Sequence, residues 1–276
     1  MTEFIPSEVE GSLDMNFKRI IYSVLLVIAL AALSFYFFYM QPRRVVPILM
    51  YHSISDDKES TLSVMPENFS RQLEFLDRSG YSVISLDELV ESINRGKTYL
   101  PKTVVVTFDD GYKDNFTNAF PVLKKYDMTA IIFLVTHYVA EKGEYMNWDQ
   151  VRLMQENGID FGAHTRNNVY LPSVEDYGKL WDEISGSKAD IQAQTGKEAK
   201  YFCYPTGGFT EKIKEAVKQA GYKGACTTNR GFDRLNLDVY ELNRVKVTDS
   251  DMNKPFHFRA KLSGFYNVFR SYKSGG

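Results

Sequence analysis

Hydrophobic and polar positions follow two alternating rhythms from Val45 onward. Short runs of apolar and β-branched residues, bounded by turn formers, predict strands at Val45–Tyr51, Tyr81–Ile84, Thr103–Thr107, Ala130–Val135, Ile159–Ala163, Lys200–Cys203, Tyr222–Cys226 and Leu242–Val247. Between them, apolar residues recur at helical spacing. This predicts helices at Asn68–Arg78 (entered through Pro66), Asn115–Tyr126, Val174–Thr195 and Glu211–Gln219. Two capping boxes mark further helix starts: Ser85 with Glu88, for a helix running to Asn94, and Asn147 with Gln150, for one ending at Gly158. Repeated βα units with apolar strands predict a parallel sheet, and seven or so units in about 200 residues favour a barrel over an open sheet. The C-terminal Phe256–Tyr272 interleaves Phe, Tyr, Arg and Lys, which predicts a helix packed on the domain, with membrane-surface contact as the alternative.

Ahead of this pattern lies a segment with neither rhythm. Ile20–Met40 is uncharged and of the length a helical membrane span requires, with Tyr36, Phe37, Phe38 and Tyr39 placed to form an aromatic belt at one interface. Ala29-Leu30-Ala31 resembles a signal-peptidase site, but the apolar run continues beyond it, which favours an uncleaved anchor. Lys18 and Arg19 on one side balance Arg43 and Arg44 on the other, so charge does not orient the span. The division expected is a short cytoplasmic tail (1–19), a single-pass anchor (20–40), a catalytic domain (45–250) and an aromatic and basic tail (251–276).

The 276 residues carry 33 Lys and Arg against 35 Asp and Glu, a balance that gives no electrostatic surface for nucleic acid. Cys203 and Cys226 make no disulfide framework, though they could bridge in an oxidising compartment.

Candidate chemistry concentrates at strand ends. Asp109-Asp110-Gly111 closes the β-branched run ending at Thr107-Phe108, so two carboxylates stand at the C-terminal end of a buried strand. Like charges side by side cost free energy unless a cation or a shared proton offsets it. A metal held by one Asp, with the other left as a base, satisfies that requirement; a plain Asp-Asp-Gly turn is the alternative. His52 and His164, two of four histidines, follow other strands on the same rim, as does the turn Cys203–Gly208, and Arg244 lies in the last strand.

At these residues the chain resembles the polysaccharide deacetylases, the NodB-homology carbohydrate esterases of family 4. The match rests on Thr107–Tyr112, His164-Thr165 with Leu171 after it, and Tyr204–Gly207, and extends over about Val45–Val247. The resemblance implies a distorted (β/α)7-type barrel and divalent-metal-dependent removal of acetyl groups from a polysaccharide. It assigns Asp110 and His164 to the metal, zinc with cobalt or nickel as alternatives, Asp109 to the general base, and the Thr206 backbone N–H to the oxyanion.

Two departures qualify the match. The family's second metal histidine falls where this chain has Asn168, a weaker ligand for zinc or cobalt than imidazole. The arginine many members carry in the Tyr-Pro turn is replaced by Cys203, for which Arg244 is the expected substitute. No late Leu-x-His segment occurs. The early Met50-Tyr51-His52 is similar to the biofilm poly-N-acetylglucosamine deacetylases, whose permuted motif order makes His52 the expected acid. His137 is expected to be structural. Tyr112, Tyr204, Pro205 and Trp148 are expected to contact substrate, with core packing the alternative for Tyr112 and Trp148. The function expected is a membrane-anchored N-deacetylase of N-acetylglucosamine-containing glycan, extracytoplasmic on a bacterial membrane; a degenerate glycan-binding member is the alternative. No protein partner is indicated.

Overall fold

A computed structural model describes residues 7–57, 60–97, 101–139, 141, 143–228, 230–252, 254 and 256–269. The chain divides into two units between Arg44 and Val45. In the first, α1 (Ser7–Phe35) runs into a π-helical turn at Tyr36–Met40 and a 3-10 turn at Gln41–Arg43. Within it Phe17–Arg43 is long and apolar enough to cross a membrane. Leu25, Val27 and Phe38 are exposed along this unit, as in a helix that is apolar all round and buries no face within its own unit. The Arg43 guanidinium stacks over the Tyr39 ring and donates to the Tyr39 carbonyl, an arrangement suited to a membrane interface.

The second unit alternates strands and helices: β1 (Ile48–Tyr51), α2 (Pro66–Arg78), β2 (Ser82–Val83), α3 (Leu86–Asn94), β3 (Thr103–Phe108), α4 (Phe120–Lys125), β4 (Ile131–Leu134), α5 (Trp148–Glu156), β5 (Asp160–Ala163), α6 (Tyr177–Trp181), α7 (Ser187–Thr195), β6 (Tyr201–Cys203), α8 (Glu211–Gln219), β7 (Gly224–Cys226), β8 (Val245–Lys246), α9 (His257–Lys261) and α10 (Tyr266–Phe269). Both capping boxes form as expected, at Ser85 with Glu88 and at Asn147 with Gln150.

The strands pair in parallel in the order β7-β6-β5-β4-β3-β1-β8, with β2 beside the start of β3. A parallel bridge from Cys226 to Leu242, just ahead of β8, joins the two ends, so the sheet curls into a distorted barrel with an irregular last seam. Side-chain alternation then separates two cores. Leu49, Tyr51, Val104, Val106, Phe108, Ile132 and Leu134 pack outward with helical residues such as Phe69, Leu73 and Leu76. Ile48, Val105, Ile131, Phe133, Cys203 and Leu242 cluster inside, joined by Leu86, Leu89 and Val90 of α3. Gly162 is required there: a Cβ would lie 2.6 Å from the Phe133 ring and 2.8 Å from the Tyr201 carbonyl.

Two expectations change. The predicted helix over 174–195 starts at Tyr177 and is interrupted by a π-helical turn at Asp182–Gly186. The predicted helix over 256–272 is two short helices parted by a turn at Gly264, whose φ of +80° no helix accommodates; residues 270–272 lie outside those described. The segment packs on the domain as its pattern predicts, with Phe258 and Leu262 buried in the outer core.

Candidate active site

The C-terminal ends of β1, β3, β5 and β6 and the segment entering β8 converge on one rim. Asp109 directly follows β3, its backbone N–H bonded to the Tyr51 carbonyl of β1. Arg244 grips both carboxylate oxygens, Nη1 to Oδ1 and Nη2 to Oδ2 at 2.7 Å each. The rest of the guanidinium is also committed. Nε donates to the Thr227 carbonyl, Nη1 also to Thr107 Oγ1, and Nη2 also to Cys203 Sγ. Arg244 is 1 % exposed and Asp109 3 %. Burial by itself would raise the Asp109 pKa. The charge and hydrogen bonds of Arg244 outweigh it, with His164 and His52 adding, and hold the carboxyl well below the usual carboxylate range. The aim of Arg244, illegible in sequence, is thus a bidentate clamp on Asp109.

His52 stands one residue past β1 with Nε2 3.8 Å from Asp109 Oδ2. Burial lowers its pKa, and the opposing pull of Asp109 and Asp110 does not cancel this, so the resting imidazole is neutral at neutral pH. Its loop is pinned from the turn after β3. Asn115 Nδ2 donates to the His52 carbonyl, while Asp114 accepts from Ser53 Oγ and the Ile54 N–H.

Across the rim, Asp110 turns away from its neighbour through a left-handed backbone, φ +70°, followed by Gly111 at +77°. Glycine is favoured at 111 by its positive φ, and a Cβ there would also press on Leu134 Cδ2 at 2.6 Å. Asp110 Oδ1 lies 3.6 Å from His164 Nε2 and 3.3 Å from Asn168 Nδ2. Burial raises the Asp110 pKa, and the nearby His164 only partly offsets this. His164 follows β5 and is oriented by its other nitrogen, Nδ1, 2.8 Å from the Cys203 carbonyl. Thr165, Asn168 and Thr206 share the left-handed conformation of Asp110. Such a cluster of strained residues persists only where surrounding structure holds it, and is typical of functional sites.

Sequence reasoning missed the groups that hold this second side. Glu183, in the π-helical turn, accepts from the Arg166 and Asn167 N–H groups and from Asn167 Nδ2, cradling the loop that carries Asn168. Arg166 in turn forks onto Asp190. The only signal available was the position of Glu183 within a long amphipathic helix, and a π turn leaves no mark in hydrophobic periodicity.

These residues line a cleft of about 340 Å³ that includes Asp109, Asp110, His52, His164, Asn168, Thr206 and Arg244. Tyr112 stacks on Tyr145 and lines an adjoining groove of about 590 Å³. The other residues expected to contact substrate lie in packed surroundings. Tyr204 is fully buried, its hydroxyl donated to the Tyr240 carbonyl and its ring stacked on Phe209. Pro205 is buried beneath the turn, and Trp148 packs against the outer core at the start of α5. Cys203 and Cys226 are free thiols, register partners on β6 and β7. His137 is exposed and bonded to Asn167 Oδ1, a structural role.

A family model for polysaccharide deacetylase matches residues 96–225. YxkH of Bacillus subtilis, whose name places it with the polysaccharide deacetylases, is 32% identical over 203 residues, covering 74% of this chain and 71% of that one. The poly-beta-1,6-N-acetyl-D-glucosamine N-deacetylase of Staphylococcus epidermidis is 25% identical over 227 residues, 76% of this chain and 78% of that one. Among solved structures, the Streptococcus pyogenes deacetylase PplD in complex with acetate superposes with a TM-score of 0.72 at 26% identity, covering 79% of this chain and 97% of that one. With the carboxylate pair, the histidines and the barrel in the positions described, the chain belongs to the polysaccharide deacetylase family, hydrolases that cleave amide bonds.

Proposed function

We propose that this chain is a metal-dependent N-deacetylase of N-acetylglucosamine-containing glycan, anchored to a bacterial membrane by its N-terminal helix with the barrel outside. The observation that carries it is the buried Asp109, clamped by Arg244 and flanked on one cleft by His52 and by the Asp110–His164–Asn168 group.

Two donor sets for a metal compete. Asp109, His164 and Cys203 bring ligand atoms within 4.8 Å of one another. Yet both Asp109 oxygens are taken by Arg244, and burial pushes the Cys203 thiol well above its usual range, so it is no thiolate. Asp110, His164 and Asn168 fit better: a carboxylate, an imidazole whose second nitrogen is already oriented, and an amide that turns its oxygen inward by a simple flip. The cost of keeping Asp110 ionised when buried is what a divalent cation would remove. Zinc, cobalt or nickel held there would polarise the acetyl carbonyl and lower the pKa of a bound water.

Asp109, ionised at any working pH, accepts the proton of the attacking water, and Arg244 fixes its direction. The clamp also makes Asp109 a weak base, which the adjacent neutral His52 offsets by taking that proton from Asp109 and passing it to the leaving nitrogen. The Thr206 N–H supports the oxyanion, and Tyr112 meets the glycan in the adjoining groove. Acetate release from poly-N-acetylglucosamine and from peptidoglycan, measured with metal content, tests the reading; wild-type protein that binds metal and releases acetate from neither overturns it. Asn168 favours one second reading, a glycan-binding member with impaired turnover, for which glycan affinity persists without acetate release.

A further inference from the structure

Arg244 and Lys246 are two apart on the closing strand and so present their side chains to the same, inward face of the barrel. Arg244 is spent on Asp109. Lys246, the register partner of Met50, reaches the cleft one pleat nearer the mouth, where both residues line the wall. Its ammonium has no carboxylate or hydrogen-bond partner among the described residues, although its own carbonyl is taken by Lys261 Nζ. Burial lowers its pKa. Other buried or half-buried lysines of this domain are paired: Lys214 with Asp238 and Glu211, and Lys261 with Asp251. An ammonium held half-buried and unpaired at an active cleft has a partner missing from the protein itself. The carboxylates that share its cleft are otherwise engaged, Asp109 by Arg244 and Asp110 by the proposed metal group.

We propose that Lys246 is a specificity-determining residue that takes an anionic substituent, a carboxylate or a phosphodiester, on the glycan next to the acetamido group in the cleft. The inference rests on the deacetylase reading and narrows it: of the acetylated glycans, one bearing negative charge near the reacting sugar fits this chain better than an uncharged homopolymer.

The test compares binding and turnover of the full-length, zinc-loaded protein in detergent. Three N-acetylglucosamine oligomers of equal length serve as probes: uncharged, carrying a lactyl carboxylate, and carrying a phosphodiester. Wild type binds at least one charged oligomer more tightly than the uncharged one, and which arm shows the preference identifies the source of the charge. Lys246→Gln lowers the charged-over-uncharged affinity ratio roughly tenfold, and Lys246→Arg restores most of it. The restored ratio separates charge recognition from a folding defect. A wild type with no preference, or a ratio unmoved by Lys246→Gln, overturns the proposal. Loss of acetate release on every glycan, with the binding preference intact, would instead sink the deacetylase reading and leave this assignment standing.

Discussion

The two sides of the cleft are built to different standards of completeness. On the Asp109 side the donors of Arg244 are engaged, at 2.7 to 3.0 Å, and the carboxylate it clamps has both oxygens satisfied. On the Asp110 side the contacts are long, 3.3 Å to Asn168 and 3.6 Å to His164, and both Asp110 and Asn168 stand on left-handed backbone. A network that satisfies itself needs nothing further to hold its shape. Two groups gathered loosely round one buried carboxylate form the arrangement that the proposed metal would complete. On the proposed reading, the difference separates a preformed proton-handling half from a half completed by its metal.

The largest effect expected is on the finished side. Asp109→Asn keeps the shape and removes the base, so acetate release falls by about 10²–10⁴-fold, read as kcat on an N-acetylglucosamine oligomer, while zinc content is retained. If zinc is lost along with activity, Asp109 belongs to the metal group and the division of the cleft is wrong. Next, Arg244→Ala leaves a buried carboxylate unpaired and costs about 3–5 kcal/mol of stability by urea denaturation. Arg244→Lys recovers only part of this, because an ammonium cannot fork onto both oxygens.

Smaller effects belong to the other side. Glu183→Ala unpairs the Arg166 and Asn167 N–H groups and costs about 1–3 kcal/mol in the same assay. Zinc affinity falls with it, since the loop presenting Asn168 loses its cradle. Last, Asn168→His supplies the stronger ligand and tightens zinc by roughly tenfold, measured by competition with a chelator. Unchanged zinc affinity would remove position 168 from the metal group.

Much of this was legible in the chain. The strands and capping boxes appear where the apolar runs and the Ser85–Glu88 and Asn147–Gln150 pairs put them, because those signals are local. So was the rim, since carboxylates and histidines just past apolar strands in a βα alternation have one place to go. The misreadings share a cause. Tyr204, in the turn that carries the family resemblance, was expected to contact substrate, yet one step of strand alternation turns its ring into the core. The break in the helix over 174–195 was invisible because Glu183 is pulled into place by the Arg166–Asn167 loop, a contact across 16 residues for Asn167 and 17 for Arg166.

By itself the sequence determined the element order, the apolar N-terminal segment, the parallel α/β class and the residue types gathered at the strand ends, because periodicity and local turn chemistry act over a few neighbours. Only the tertiary structure decided which way those residues face. Barrel closure carries Arg244 135 residues through the chain to Asp109, and brings Asn168 to Asp110 across 58. It also leaves Lys246 facing the cleft with no partner among the described residues. Such pairings follow from the curl of the sheet and the register of its strands, which no local stretch of sequence contains.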